Sequence, residues 1–166
     1  MSVPVRDRGE SVVQYLANAE EIKEEVLSFC MKLPKRLGGY MGHGTLDEAL
    51  RLANCVRAAN GRYPVNRPEA QKRRELLNEA NDAIQALIGN ITTIRNHLMK
   101  NPEIFAEGMK EETEDQRRAK DKKVSKGKRR VWNATERLAS LLNEEAKLIS
   151  GVKDADRKRY KNLPDF

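Results

Sequence analysis

The sequence predicts an all-α protein: an antiparallel up-and-down four-helix bundle with a long charged insertion between helices three and four. Three observations carry that expectation. Four segments repeat apolar residues every three or four positions, the spacing of one helix face. No strand pattern accompanies them. The composition, 39% hydrophobic, 5% aromatic and 34% charged, suits elongated helices and excludes a large β-sandwich core. A length of 166 residues is that of a single domain, 1–166, with a modest core.

The first helix spans about 9–33, with the stripe Val12, Leu16, Ala19, Ile22, Val26, Phe29 and Leu33. Glu20, Glu21, Lys23, Glu24 and Glu25 form its outer face, and Pro34 ends it, because proline disfavours helical geometry in the residue before it. The connector 34–44 holds Gly38, Gly39, Gly42 and Gly44 and reads as a loop. It lacks the Gly-Lys-Ser/Thr ending of a phosphate-cradling P-loop.

The second helix covers about 45–60. Thr45-Leu46-Asp47-Glu48 has the form of a capping box. Leu46, Ala49, Leu50, Ala53, Val56 and Ala59 are its stripe, rich in alanine, and Asn60-Gly61 closes it. The third helix covers about 67–99, with Asn66 as N-cap and Pro68 in the first turn. Its stripe is Leu76 or Leu77, Ala80, Ile84, Leu87, Ile88, Ile91, Ile94 and Leu98. Lys72, Arg73 and Arg74 are the wrong sign for the positive end of a helix dipole. That conflict points to an external anion or to an i,i+4 partner.

Asn101-Pro102 stops helix three. Residues 103–130 are polar, acids first (Glu103 to Asp115) and bases second. They read either as a solvated helix or as a flexible loop, and the acidic half is placed to fold over the basic half and screen it. The fourth helix covers about 130–150, with Val131, Ala134 or Thr135, Leu138, Leu141, Leu142, Glu145, Leu148 and Ile149 as its stripe. Gly151 is expected to end it, leaving a basic tail over 151–166.

Between Arg117 and Arg130, nine of fourteen residues are basic: Arg117, Arg118, Lys120, Lys122, Lys123, Lys126, Lys128, Arg129 and Arg130. Only Asp121 opposes them, so this segment carries +8 of a chain whose total is +7. Such a concentration is the electrostatic footprint of phosphate-backbone binding. A solvated linker is the alternative reading of a charge run. Lys35, Arg36, Arg62, Arg67, Lys72, Arg73 and Arg74 flank the two connectors. They form two patches at opposite ends of helix two, and arginine favours bidentate phosphate recognition. Trp132, the only tryptophan, is placed either to stack on an unpaired base or to pack in the core.

No catalytic constellation is legible. His43 and His97, the only histidines, have no partner at ligand spacing and read as surface residues. Glu24-Glu25 and Glu144-Glu145 read as solubilising charge on polar faces. No Glu-x-x-His pair supports a di-metal site, so no metal, cofactor or enzymatic activity is expected. Cys30 and Cys55 read as small buried hydrophobes in a reducing compartment. The polar start, Met1 to Glu10, has no apolar h-region and is not expected to be a secretory signal. No apolar run spans a bilayer, so a cytoplasmic location is expected.

Two stretches, Leu33-Pro34-Lys35-Arg36 and Ala59-Asn60-Gly61-Arg62-Tyr63-Pro64 leading to Glu69 and Arg73-Arg74, carry a resemblance. Over about residues 10–100, and more loosely in helix four, the chain resembles a family of small four-helix bundles. That family comprises the rRNA intervening-sequence proteins and the accessory variability determinant (Avd) of diversity-generating retroelements. The resemblance implies a homopentamer with a basic surface that associates with a reverse transcriptase and its template RNA. The insertion 103–130 departs from the shorter members. The expected function is a non-catalytic accessory subunit binding RNA, and DNA as well. The alternative is an oligomeric interaction scaffold with a basic linker.

Overall fold

A computed structural model describes the backbone of residues 5–165 and the side chains from Gln14 to Asp165. The side chains of Val12 and Val13, the first four residues and Phe166 lie outside it. The described chain is helical without strands: α1 (Val5–Met31), the single turn α2 (Lys35–Leu37), α3 (His43–Asn60), α4 (Arg67–Lys100) and α5 (Glu114–Arg159). A π-turn, Gly38–Gly42, joins α2 to α3, and a 3-10 turn, Pro102–Ala106, follows α4. None of the described helices is long and apolar enough to cross a membrane.

The four long helices pack in a closed cycle, α1 on α3 and α5, α4 on α3 and α5. Contacting residues run in opposite chain directions at each seam. Gln14 meets Glu144 (3.4 Å), and Arg137 meets Glu25 (3.0 Å) further along α1. Arg73 meets Asp156 (2.6 Å), and Arg95 meets Glu136 (3.3 Å). Tyr15 meets Asn60, and Glu20 pairs with Arg57.

The buried stripes follow the predicted spacing with a few changes. Tyr15 is buried in α1, where Leu16 is only half-buried. In α3 the core residue is Leu52 and not Leu50, which is exposed. In α4, Leu77, Ala80, Ile84, Leu87, Ile91, Ile94 and Leu98 are buried, with Ala83 beside them.

The glycine connector is not a loop. Gly38 (φ −57°, ψ −39°) and Gly42 (φ −64°, ψ −46°) are in right-handed helical geometry. Leu37 and Met41 extend the stripe of α3 upstream and pack on the core. Their partial burial offsets part of a glycine penalty of about 1 kcal/mol per residue. Thr45 consequently lies inside a helix instead of capping one: its buried hydroxyl donates to the Met41 carbonyl at 2.7 Å.

Gly151 does not end α5, and the expected tail is largely helical to Arg159. The helix also begins earlier than predicted, at Glu114. Thr113 and Gln116 form a reciprocal capping box, the Thr113 hydroxyl accepting from the Gln116 amide (3.2 Å) and the Gln116 side chain from the Thr113 amide (3.0 Å). Glu114 and Asp115 lie at its positive end, and Arg157, Lys158 and Arg159 at its negative end. Gly127 has a packing role. A Cβ there would lie 2.5 Å from the Phe105 ring, so glycine lets the 3-10 turn seat on α5.

Glu145 is not a solubilising charge. It is 0% exposed, between α5 and α1, and one carboxylate oxygen accepts from the Asn18 amide at 2.9 Å. Its other oxygen has no hydrogen-bond partner among the described residues. Burial pushes its pKa up to about 7, offset in part by the Asn18 hydrogen bond and reinforced by the Glu144 charge. The folded state thus holds the proton more tightly than the unfolded chain. The associated stabilisation is complete below the ordinary carboxylate range and is lost as pH rises through about 7. Urea unfolding across pH 5–8 is expected to show stability falling, by about 3 kcal/mol from this group. Glu145→Gln should flatten that decline. A wild-type decline no steeper than that of Glu145→Gln would mean that Glu145 is folded in its charged form.

Candidate nucleic-acid interface

The predicted basic segment is helical throughout and forms the N-terminal part of α5. Gln116, Lys120, Val124, Gly127 and Val131 lie along its less exposed side, at the three- and four-residue steps of one helix face. Arg117, Arg118, Lys122, Lys123, Lys126, Arg129 and Arg130 are exposed, and Lys128 is half-buried. The seams fix where this part sits. Since Glu25 and Arg95 lie opposite Arg137 and Glu136, α1 and α4 end near the level of Val131. The basic part therefore projects roughly 25 Å beyond them, at about 1.5 Å per residue. The 3-10 turn packs against it.

The acidic segment screens only the first turns. Lys120 pairs with the Glu111 carboxylate and holds that acid below its usual range. The Arg117 guanidinium donates to the Glu111 carbonyl at 3.3 Å, and Arg118 faces Glu114 at 3.5 Å. Among the described residues, Lys122, Lys123, Lys126, Lys128, Arg129 and Arg130 have no ion-pair partner. A helix holds these cations in fixed rows, whereas a linker would let them spread apart.

Trp132 lies just past the basic run and is 52% exposed, while its neighbour Val131 is buried. The Arg95 guanidinium sits over its ring, 5.2 Å from the centroid, a cation–π contact. Lys35 and Arg36 are exposed at the same end of the molecule. Arg36 lines a hollow of about 430 Å³ together with Tyr40, His97 and Ile104.

The second predicted patch divides. Arg62, Arg67, Lys72 and Arg74 are exposed. Arg73 is only 7% exposed and serves the fold instead. Its guanidinium donates to Asp156 (2.6 Å) and to the carbonyls of Ala59 (2.5 Å) and Arg62 (3.0 Å). It ties α4 to α5 and to the end of α3, and its acid partner comes from a distant segment, not from i,i+4 on the same helix. Arg67 and Arg74 line a cleft with Lys153, Arg157 and Lys161, a grouping that sequence order does not suggest.

His43 and His97 are exposed. Among the described residues no group of three or more His, Cys, Asp or Glu is placed to hold a metal ion. Cys30 and Cys55 are free thiols, half-buried and buried, and burial raises the pKa of each. No protein-family model, curated protein or solved structure matches the chain.

Proposed function

We propose that this chain is a non-catalytic nucleic-acid-binding accessory subunit built on an antiparallel up-and-down four-helix bundle. The supporting observation is the projecting basic part of α5, with seven exposed Lys or Arg side chains between Arg117 and Arg130. A rigid row of cations attracts a phosphate backbone without reading its sequence. The resemblance in the two connector stretches adds the kind of assembly: an Avd-like cytoplasmic partner of a reverse transcriptase and its template RNA.

Binding to single-stranded RNA or DNA is expected to be tight at low salt and to weaken steeply as salt rises. The log–log slope should be several units negative, at about −0.7 per phosphate neutralised on a single strand. Sequence preference should be slight. A gel-shift series with no complex at the lowest salt would remove this reading.

Self-association into a ring, a pentamer by resemblance, belongs to the same proposal. Met31 and Tyr40 at one end of the bundle, and Tyr63 and Val65 at the other, are largely exposed, which leaves apolar side chains at both ends for contacts between copies. A ring would repeat the basic part of α5 around an axis and turn weak contacts into a multivalent one. The same apolar residues favour the second reading, an oligomeric interaction scaffold, which would assemble but ignore nucleic acid. Light scattering at micromolar concentration should give a multiple of 18.9 kDa. A monomer mass would count against both readings of assembly.

A further inference from the structure

Two of the three bases that burden the first turns of α4 remain unexplained by the fold. Arg73 has its buried partners, but Lys72 and Arg74 have no ion pair among the described residues. We propose that the cleft between the first turns of α4 and the last turns of α5 is a phosphate-binding site, distinct from the basic part of α5. Its volume is about 340 Å³, and Arg67, Arg74, Lys153, Arg157 and Lys161 line it. One acid, Asp156, also lines it, and that carboxylate is engaged by Arg73. The cleft therefore holds an excess of positive charge that its own lining acid does not consume. Arg67 and Arg157 are satisfied in part, by Asp165 (2.8 Å) and Asp154 (3.6 Å). Arg74, Lys153 and Lys161 have no such partner among the described residues.

The site is held by structure on three sides. The Arg67 amide donates to the Pro164 carbonyl at 2.8 Å, so the chain after α5 returns to the start of α4. The Arg73–Asp156 bridge fixes the distance between the two helices. Tyr160, half-buried, lines the cleft too. Arginine supplies a planar fork for two phosphate oxygens, and lysine a mobile point charge. Lys126 and Arg157 are separated along α5 by roughly 45 Å, so one phosphate cannot touch both sites.

The phosphate can belong to a nucleic-acid backbone or to a small free compound, and two probes separate these sources. The full chain with its nine bases from Arg117 to Arg130 changed to Gln isolates the cleft. Inorganic pyrophosphate is titrated by calorimetry, and a labelled six-nucleotide strand by fluorescence anisotropy at low salt. At least one probe should bind, and adding Arg74→Gln, Lys153→Gln and Lys161→Gln should weaken it at least tenfold. Binding of the strand assigns a backbone phosphate; binding of pyrophosphate alone assigns a free compound. Lys32→Gln, Lys100→Gln and Lys110→Gln remove the same charge elsewhere and should change little. Equal weakening by both triple variants, or binding of neither probe, would overturn the proposal. Arg73 and Asp156 are untouched, so helicity by circular dichroism should be kept; otherwise Arg74→Gln alone carries the comparison. Failure of long strands to bind the wild type would remove the proposed function and the backbone-phosphate source together, but would leave pyrophosphate binding in the cleft standing.

Discussion

Changing Arg117, Arg118, Lys120, Lys122, Lys123, Lys126, Lys128, Arg129 and Arg130 to Gln is expected to lower nucleic-acid affinity about a hundredfold or more at low salt. Every phosphate left without its cation keeps its counterions, so the salt slope should become shallower by several units as well. Folding should be nearly unaffected. Most of these side chains are exposed, and exposed substitutions shift stability by only about ±0.5 kcal/mol. The Lys120–Glu111 pair, with Glu111 more than half exposed, contributes little in water. Glutamine is a good helix former. The change also removes like charges at i,i+4, such as Arg118–Lys122, Lys122–Lys126 and Lys126–Arg130, which repel on a helix by about 0.2–0.5 kcal/mol each. Helicity should therefore hold or rise while binding falls. Unchanged affinity would transfer the contacts to the bundle surface or the end cleft.

Arg73→Ala should destabilise the fold by about 3–5 kcal/mol, the range for breaking a buried ion pair from one side. The loss is large because three acceptors are left behind: the mostly buried Asp156 carboxylate and the carbonyls of Ala59 and Arg62. For a chain of this size the melting temperature should drop by about 10 °C. The double replacement Arg73→Met with Asp156→Leu should recover part of that loss, since removing both charges leaves no unpaired buried ion. If Arg73→Ala instead leaves stability within about 1 kcal/mol of the wild type and lowers nucleic-acid affinity, then Arg73 is a surface contact and not a clasp.

Arg73 and Glu145 mark where one-dimensional reading stops. Both lie on charged stretches, among Lys72 and Arg74 or beside Glu144, and nothing in their immediate neighbours separates them from solvated charge. Their environments come from segments distant in the chain: Asp156 and the end of α3 for Arg73, Asn18 and Leu141 for Glu145 and its partner. One hint was legible for Glu145, which falls in register with Leu138, Leu142 and Ile149. The Thr113–Gln116 box is a local signal for the start of α5 that the expectation of a helix from about 130 missed.

The sequence alone determined the helical class, the long helices and most of each buried stripe, because apolar spacing is a local property that burial rewards wherever the partner helix lies. It also determined that the positive charge is concentrated between Arg117 and Arg130. Tertiary structure decided the rest. Packing of Leu37, Met41 and Thr45 on the core turned a glycine connector into helix. Gly127 beneath Phe105 let the 3-10 turn seat against a continuous α5, so the basic segment became a projecting row of cations. Arg67 and Arg74 share a cleft with Lys153, Arg157 and Lys161 because α4 and α5 run in opposite directions, which brings the start of one helix to the end of the other.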